Sequence, residues 1–246
     1  MEFVLDLSLL GMNDCEIARR TGIPRRTVGD WRRHGGQHHG FGKNDDRSEE
    51  PDRQCPICGK GDLHREWYAY LLGMYLGDGC LSVHPRGVFR LRISLDVRYP
   101  GIIDECSRAV AAMHPAMKVG RVQRIGCADV AAYWKHWPCL FPQHGSGPKH
   151  LRTIALTSWQ QEIADVYPGR LLRGLIHSDG CRGMNRVKGK EYPRYHFTNH
   201  SSEIRSIFCK ACDRYGVAWR QMNWRTISVA RRPDVAKLDL IIGPKT

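Results

Sequence analysis

Apolar positions recur along the chain with two periods, and the places where the period changes mark its organisation. In residues 1–34 the spacing is helical: Phe3, Val4, Leu7 and Leu10 share one face, and Gly11 ends the run. Asn13 or Asp14 can cap a second helix that turns Ile17 and Ala18 inward. Thr21-Gly22-Ile23-Pro24 reads as a tight turn, and Pro24 suits the first turn of a third helix. Residues 35–62 are rich in glycine and charge and offer almost nothing to bury, so a flexible linker is expected there.

From Leu63 onward helical and strand periods alternate to the end. The clearest strand is 88–97, where Phe89, Leu91, Ile93, Leu95 and Val97 point one way and Arg90, Arg92, Ser94 and Asp96 the other. Strands over 80–84, 118–125 and 130–135, with a helix over 101–114, complete one set. Strands over 181–188, 192–198, 217–222 and 224–230, with a helix over 202–215, repeat the order; further helices are expected over 159–166 and 234–241. Two related segments head these sets: Leu71-Leu72-Gly73-Met74-Tyr75-Leu76-Gly77-Asp78-Gly79-Cys80 and Leu172-Arg173-Gly174-Leu175-Ile176-His177-Ser178-Asp179-Gly180-Cys181. Recurrence of both the segment and the strand pattern after it points to an internal duplication.

Charge narrows the function. The chain of 246 residues carries a formal net charge of +13. Residues 1–61 hold 10 basic and 10 acidic residues, whereas 62–246 hold 28 basic and 15 acidic, so the excess lies on the larger C-terminal body. Such a body calls for a polyanionic partner, most simply nucleic acid. No apolar run approaches the roughly 18 residues of a membrane span, and the first residues lack the pattern of a secretory signal. An intracellular, cytoplasmic location with DNA is the expectation, with reduced thiols or metal ligands as the reading of the ten cysteines.

Three constellations carry chemistry. The segment EIARRTGIPRRTVGDWRR resembles the DNA-binding helix-turn-helix of recombinases and transcription regulators. In that reading Arg25, Arg26, Thr27 and Asp30 face DNA while Ile23, Val28 and Trp31 pack inward; the other reading is a small protein-interaction module. Second, phosphodiester cleavage needs hard divalent cations held by carboxylates, and Asp78 and Asp179 occupy matched positions. A single Asp-Gly could be a helix end with a solvated side chain; two matched copies argue against that. Third, Cys55-Pro56-Ile57-Cys58 has the form of a zinc knuckle, with His38, His39 and His64 the nearest further ligands and Cys209-x-x-Cys212 a more remote pair.

The paired segments resemble the two motifs of a single-chain LAGLIDADG homing endonuclease, Leu71–Gly79 and Leu172–Gly180 matching the nine-residue motif over a body of about residues 63–246. The resemblance implies an α+β fold of tandem αββαββ units, 63–150 and 151–246, forming a pseudo-twofold DNA-binding saddle. A small all-α helix-turn-helix domain, 1–34, and a linker, 35–62, precede it. It implies that Gly73 and Gly174 let the motif helices approach, that Asp78 and Asp179 bind catalytic Mg²⁺, and that basic residues near each last strand assist. Lys135 and Arg231 occupy comparable places, though either could be a plain phosphate contact. The motif departs from family members with a further acid in having Leu76 and His177 two places earlier.

By strand alternation Arg90, Arg92, Arg121, Gln123, Arg194, His196 and Arg220 are expected on the DNA face, Cys80 and Cys181 beneath the floor, and Lys149 or His150 in a DNA-touching loop. The activity expected is metal-dependent hydrolysis of a long, asymmetric double-stranded DNA site by a monomer. A non-catalytic DNA-binding regulator with this fold is the rival, RNA maturase activity is left open, and intein excision is disfavoured.

Overall fold

In the first of two compact units, residues 1–50, three short helices enclose a small apolar cluster. The computed structural model describes residues 2–23, 25–33, 54–243 and 245. Helices α1 (Glu2–Leu9), α2 (Asp14–Thr21) and α3 (Arg25–Arg33) bury Val4, Leu7, Ile17 and Val28, with Ala18, Ile23 and Trp31 packed against them. Asn13 caps α2 in a reciprocal capping box with Glu16, and Gly22 ends it in the left-handed region at φ 71°. Arg25 is exposed and Thr27 half-buried. Arg32 pairs with Asp14 on α2. Pro24, most of the expected linker with His38 and His39, and the side chains of Phe3, Arg26, Asp30 and Arg33 lie outside the described residues.

The second unit, residues 51–246, is built twice from one plan. Helix α4 (Arg65–Asp78) runs into β1 (Gly79–His84) and β2 (Val88–Asp96), then α5 (Pro100–Ala111), β3 (Val119–Arg124) and β4 (Cys127–Trp134). A short α6 (Trp137–Leu140), absent from the expected elements, and α7 (Ser158–Val166) lead to the second copy. There α8 (Pro168–Asp179) precedes β5 (Gly180–Val187), β6 (Lys190–Thr198), α9 (Ser202–Tyr215), β7 (Arg220–Asn223) and β8 (Thr226–Val229), and α10 (Arg232–Ile242) closes the chain. Both sheets are antiparallel with equivalent orders, β1-β2-β4-β3 and β5-β6-β8-β7.

The two copies share one core, running from Cys55 to Ile242. Helix α4 is apolar on every side, and Tyr68 through Leu76 are all buried, as expected of a helix enclosed by others. It crosses α8 where Gly73 meets Gly174. A Cβ at Gly73 would stand 2.7 Å from Leu171 O and Leu175 N, and one at Gly174 would run into Tyr70 O. Ser178 Oγ donates across the same contact towards Gly73 O at 3.4 Å and within its own helix to Gly174 O at 3.0 Å.

His177, the departure in the second motif, is a buried member of this interface. Its Nε2–H donates to Ile242 O at 3.3 Å, and in the neutral ring that its lowered pKa favours Nδ1 accepts from Tyr70 OH at 3.0 Å. Burial and then the Arg173 cation lower its pKa to about 4, against the opposing pull of Glu105. Glu105 is itself held by a two-pronged contact from Arg173, Nε–Oε1 2.7 Å and Nη2–Oε2 2.6 Å.

Two expectations follow from the interface. Gly174→Ala places a methyl against a backbone carbonyl that cannot rotate away, so it should cost about 3 kcal/mol or more, read as a fall in the denaturant midpoint. A depressed histidine pKa contributes stability that is present above the ordinary value of 6.5 and lost as pH falls towards about 4. The stability advantage of wild type over His177→Gln should therefore shrink across that window in urea titrations at stepped pH.

Candidate active site and nucleic-acid interface

Because α4 and α8 touch at their glycines, their C-terminal ends converge, and each ends in an aspartate. Gly79 and Gly180 then turn the chain directly into the first strand of each sheet. A Cβ on Gly79 would lie 2.6 Å from Tyr75 Cα, and one on Gly180 2.7 Å from Ile176 Cα, so glycine is a steric requirement of this corner. The Asp179 carboxylate reaches across to the first motif, with Oδ2 3.1 Å from where a Cβ on Gly77 would sit.

A lysine closes each helix end. Lys149 Nζ donates to Tyr75 O, Leu76 O at 3.0 Å and Gly77 O at 2.8 Å, and Lys245 Nζ donates to His177 O at 3.3 Å and Gly180 O at 2.6 Å. Free carbonyls and the negative end of the helix dipole make this a favourable place for a cation. Lys149 therefore points onto the end of α4, and it lines the cleft together with His150. Both lysines sit in the tripeptide Gly-Pro-Lys, at 147–149 and 243–245, a second internal repeat that was the available sequence signal.

The floor is thus two acids and two cations. Asp78 keeps an exposed edge to solvent, yet protein closes around its carboxyl group. That crowding first, and the Asp179 charge second, raise its pKa to about 7, while Lys149 and Lys245 oppose the shift. Asp179 is also raised by burial, moderated by Asn199 Nδ2, which donates to Oδ2 at 2.6 Å. The hairpin registers Gly79↔Ile93 and Gly180↔Phe197 place Leu95 where the second half has Asn199, so Asp78 lacks that donor. Burial lowers Lys149 to about 8 against the pull of both aspartates. The cleft above is lined by Gly77, Cys80, Lys149, Arg152, Asp179 and Asn199, drawn from both copies.

Lys135 and Arg231 stand elsewhere. Lys135 is exposed in the turn after β4, and Arg231 is exposed at the N-terminus of α10, 3.6 Å from Asp234. The cations acting most on the two aspartates are Lys149 and Lys245.

Strand register sorts the expected DNA-facing residues. Arg90 and Arg92 alternate with buried Leu91, Ile93 and Leu95 and so lie on the face away from the core. Their equivalents by register are Arg194 and His196 in β6, and Arg220 shares that face through Ser228 and His196. Arg90 Nε and Arg194 Nε, at matched positions, are both enclosed without a hydrogen-bond partner. Arg121 does not join them: it pairs with Val130 on the core side, and its guanidinium bonds Asp104 Oδ1 at 2.6 Å and Ser107 Oγ at 3.0 Å on α5. Gln123, two residues on and opposite buried Ala128, shares that side, so the register is one residue off the expected one. Cys80 and Cys181 pair with Arg92 and His196 and therefore face the groove instead of lying beneath the floor.

A second group of ligating atoms lies at the base of the first copy. Cys55, Cys58, His136 and Cys139 bring one ligand atom each to within 4.8 Å of all the others. His64 is not among them; its ring caps α4, accepting from Trp67 N at 3.5 Å. Cys209 and Cys212 are buried in α9.

No protein-family model and no curated protein matches the chain. Among solved structures, I-DmoI in complex with DNA and Ca is similar at 16% identity, covering 74% of this chain and 92% of that one, TM-score 0.49. The N-terminal LAGLIDADG domain of DUF199/WhiA is similar at 13% identity, covering 79% and 89%, TM-score 0.45. The LAGLIDADG meganuclease I-AabMI bound to uncleaved DNA is similar at 13% identity, covering 70% and 81%, TM-score 0.43. Among the described residues no helix is long and apolar enough to cross a membrane.

The raised Asp78 carboxyl has a sign opposite to His177. Stability it contributes is present below its ordinary value of 3.8 and lost as pH rises through about 7. Without added divalent metal, wild type should lose thermal stability relative to Asp78→Asn as pH rises across that range, in melts at stepped pH.

Proposed function

We propose that the chain is a site-specific, double-strand DNA endonuclease of the LAGLIDADG type that hydrolyses phosphodiester bonds with divalent metal, Mg²⁺ being the natural choice. One observation carries this reading: two equivalent helices end side by side in aspartates, each helix end closed by a lysine, beside a cleft lined by Lys149, Asp179 and Asn199. The donor set fits a hard cation, because Asp78 and Asp179 offer only carboxylate oxygen and lie close enough for the charge of Asp179 to act on Asp78. Metal held there would stabilise charge on the attacking and leaving oxygens and acidify water. The chain's own contribution is to hold both carboxylates rigidly at helix ends. Lys149 and Lys245 lie near enough to both carboxylates to offset charge as it builds on phosphate.

Arg90, Arg92, Arg194, His196 and Arg220 are the residues proposed to meet DNA from the body, because they share the sheet face turned away from the core. The N-terminal helices are proposed to act as a tethered helix-turn-helix that raises local concentration on the site through Arg25, Arg26, Thr27 and Asp30. The rival reading, a regulator that binds without cutting, is disfavoured by retention of both aspartates with a lysine beside each.

The test is incubation with a randomised duplex library and Mg²⁺ or Mn²⁺, followed by sequencing of cut ends. Asp78→Asn and Asp179→Asn should each lower cleavage by about 10³-fold or more while leaving affinity largely intact, since a charge at the reacting centre matters more to the transition state than to phosphate contacts. Wild type that binds a selected site and never cuts with any divalent metal would establish the regulator. Arg92→Ala should weaken binding without a change in melting temperature. A loss of about 1–3 kcal/mol confined to one base position marks a guanine contact; uniform weakening with a salt slope smaller by about 1 marks a phosphate contact. Lost stability with unchanged affinity would contradict this placement.

A further inference from the structure

The cysteine–histidine cluster shares no residue with the cleft lining and, among the described residues, has no counterpart in the second copy, where β8 is followed by Arg231 and α10. Its ligands come from two short segments of like design. Cys55-Pro56-Ile57-Cys58 forms a turn closed by Gly59 N to Cys55 O at 2.9 Å and Gly61 N to Cys55 O at 3.3 Å. His136-Trp137-Pro138-Cys139 forms the start of α6. Each segment presents two ligands separated by two residues, one of them proline.

The spacings lie close to those of a tetrahedral metal shell. Cys58 Sγ lies 3.2 Å from His136 Nδ1, Cys139 Sγ 3.7 Å from His136 Nδ1, and Cys139 Sγ 3.9 Å from Cys58 Sγ. Zinc bonds of about 2.3 Å to sulfur and about 2.0 Å to nitrogen set tetrahedral donors about 3.5–3.8 Å apart. A disulfide, at about 2.05 Å, is far shorter, and all ten cysteines are free. Three sulfurs and one imidazole, with no carboxylate, select zinc over the hard cations suited to the aspartate floor.

The surroundings hold the second pair rigidly. Trp137 is fully buried and donates from Nε1 to Ala132 O at 3.0 Å, fixing α6 against β4. Trp134 lies tilted on the His136 ring at 5.4 Å between centroids. The first pair sits in residues 54–64, which contain neither helix nor strand, and its anchor is Cys55, buried in the main core.

We propose that Cys55, Cys58, His136 and Cys139 bind one zinc ion in a closed, structural site that pins the segment entering the body onto the base of the first copy. Four protein ligands leave no open position for substrate, so the ion serves architecture. Binding releases the thiol protons of the three cysteines, and affinity therefore rises with pH.

The full chain, purified under reducing conditions, is assayed for zinc content and zinc-edge X-ray absorption, with no DNA or magnesium present, so the outcome is independent of the nuclease reading. About one zinc per chain with three sulfur neighbours and one nitrogen is expected. It should be retained in Cys181→Ser and lost in Cys58→Ser/Cys139→Ser. Should that double variant fail to fold, cobalt loading of the wild type decides: intense thiolate-to-cobalt bands with tetrahedral d–d bands support the site. Folded wild type that takes up neither metal, or a folded double variant that keeps its zinc, overturns it.

Discussion

The close approach of α4 and α8 at Gly73 and Gly174 is the constraint from which the rest of the body follows. A backbone-to-backbone contact leaves room for no side chain, and the helices stay close beyond it, Gly77 lying against Ser178 and Asp179. Their C-terminal ends are then forced together, and whatever residue ends each helix must lie at the shared floor. Asp78 and Asp179 are those residues, and Gly79 and Gly180 are the only residue type that fits the corner into the sheets. Van der Waals packing and site geometry are here the same fact.

Bringing two carboxylates together has an electrostatic cost that the chain offsets locally. Lys149 and Lys245 satisfy carbonyls that the helix ends leave open and place positive charge beside the acids they neutralise. The two halves are not electrically alike. Asn199 steadies Asp179 as an anion, while Leu95 at the matching register leaves Asp78 to titrate near neutrality. The two halves share one frame and differ at single positions within it. His177, buried and neutral between Tyr70 and Ile242, is one such position, and the cysteine–histidine cluster under the first sheet is another.

Much of this was legible in the chain itself, for identifiable reasons. The motif copies announce themselves because glycine and aspartate are needed at fixed offsets on one helix, and sequence records such local spacing directly. The alternation of Arg90 and Arg92 with Leu91 and Ile93 gave the correct strand face, because a half-buried central strand has one face that water rejects. In β3 that guide fails: Gly120 through Arg124 are all exposed at the sheet edge, so no apolar period pins the register, and Arg121 turned out to face α5.

What tertiary structure alone decided are the pairings between residues far apart in sequence. His136 and Cys139 lie about as far along the chain from Cys58 as the whole first copy is long, and only the packing of α6 against β4 brings them to it. Lys149 reads as one more loop cation until the fold places the end of α4 beneath it. Sequence determined which elements form and which faces are apolar, since periodicity is a property of neighbours along the chain. The side chains that share a site were settled by helix crossing and strand register, which depend on backbone contacts that no local spacing encodes.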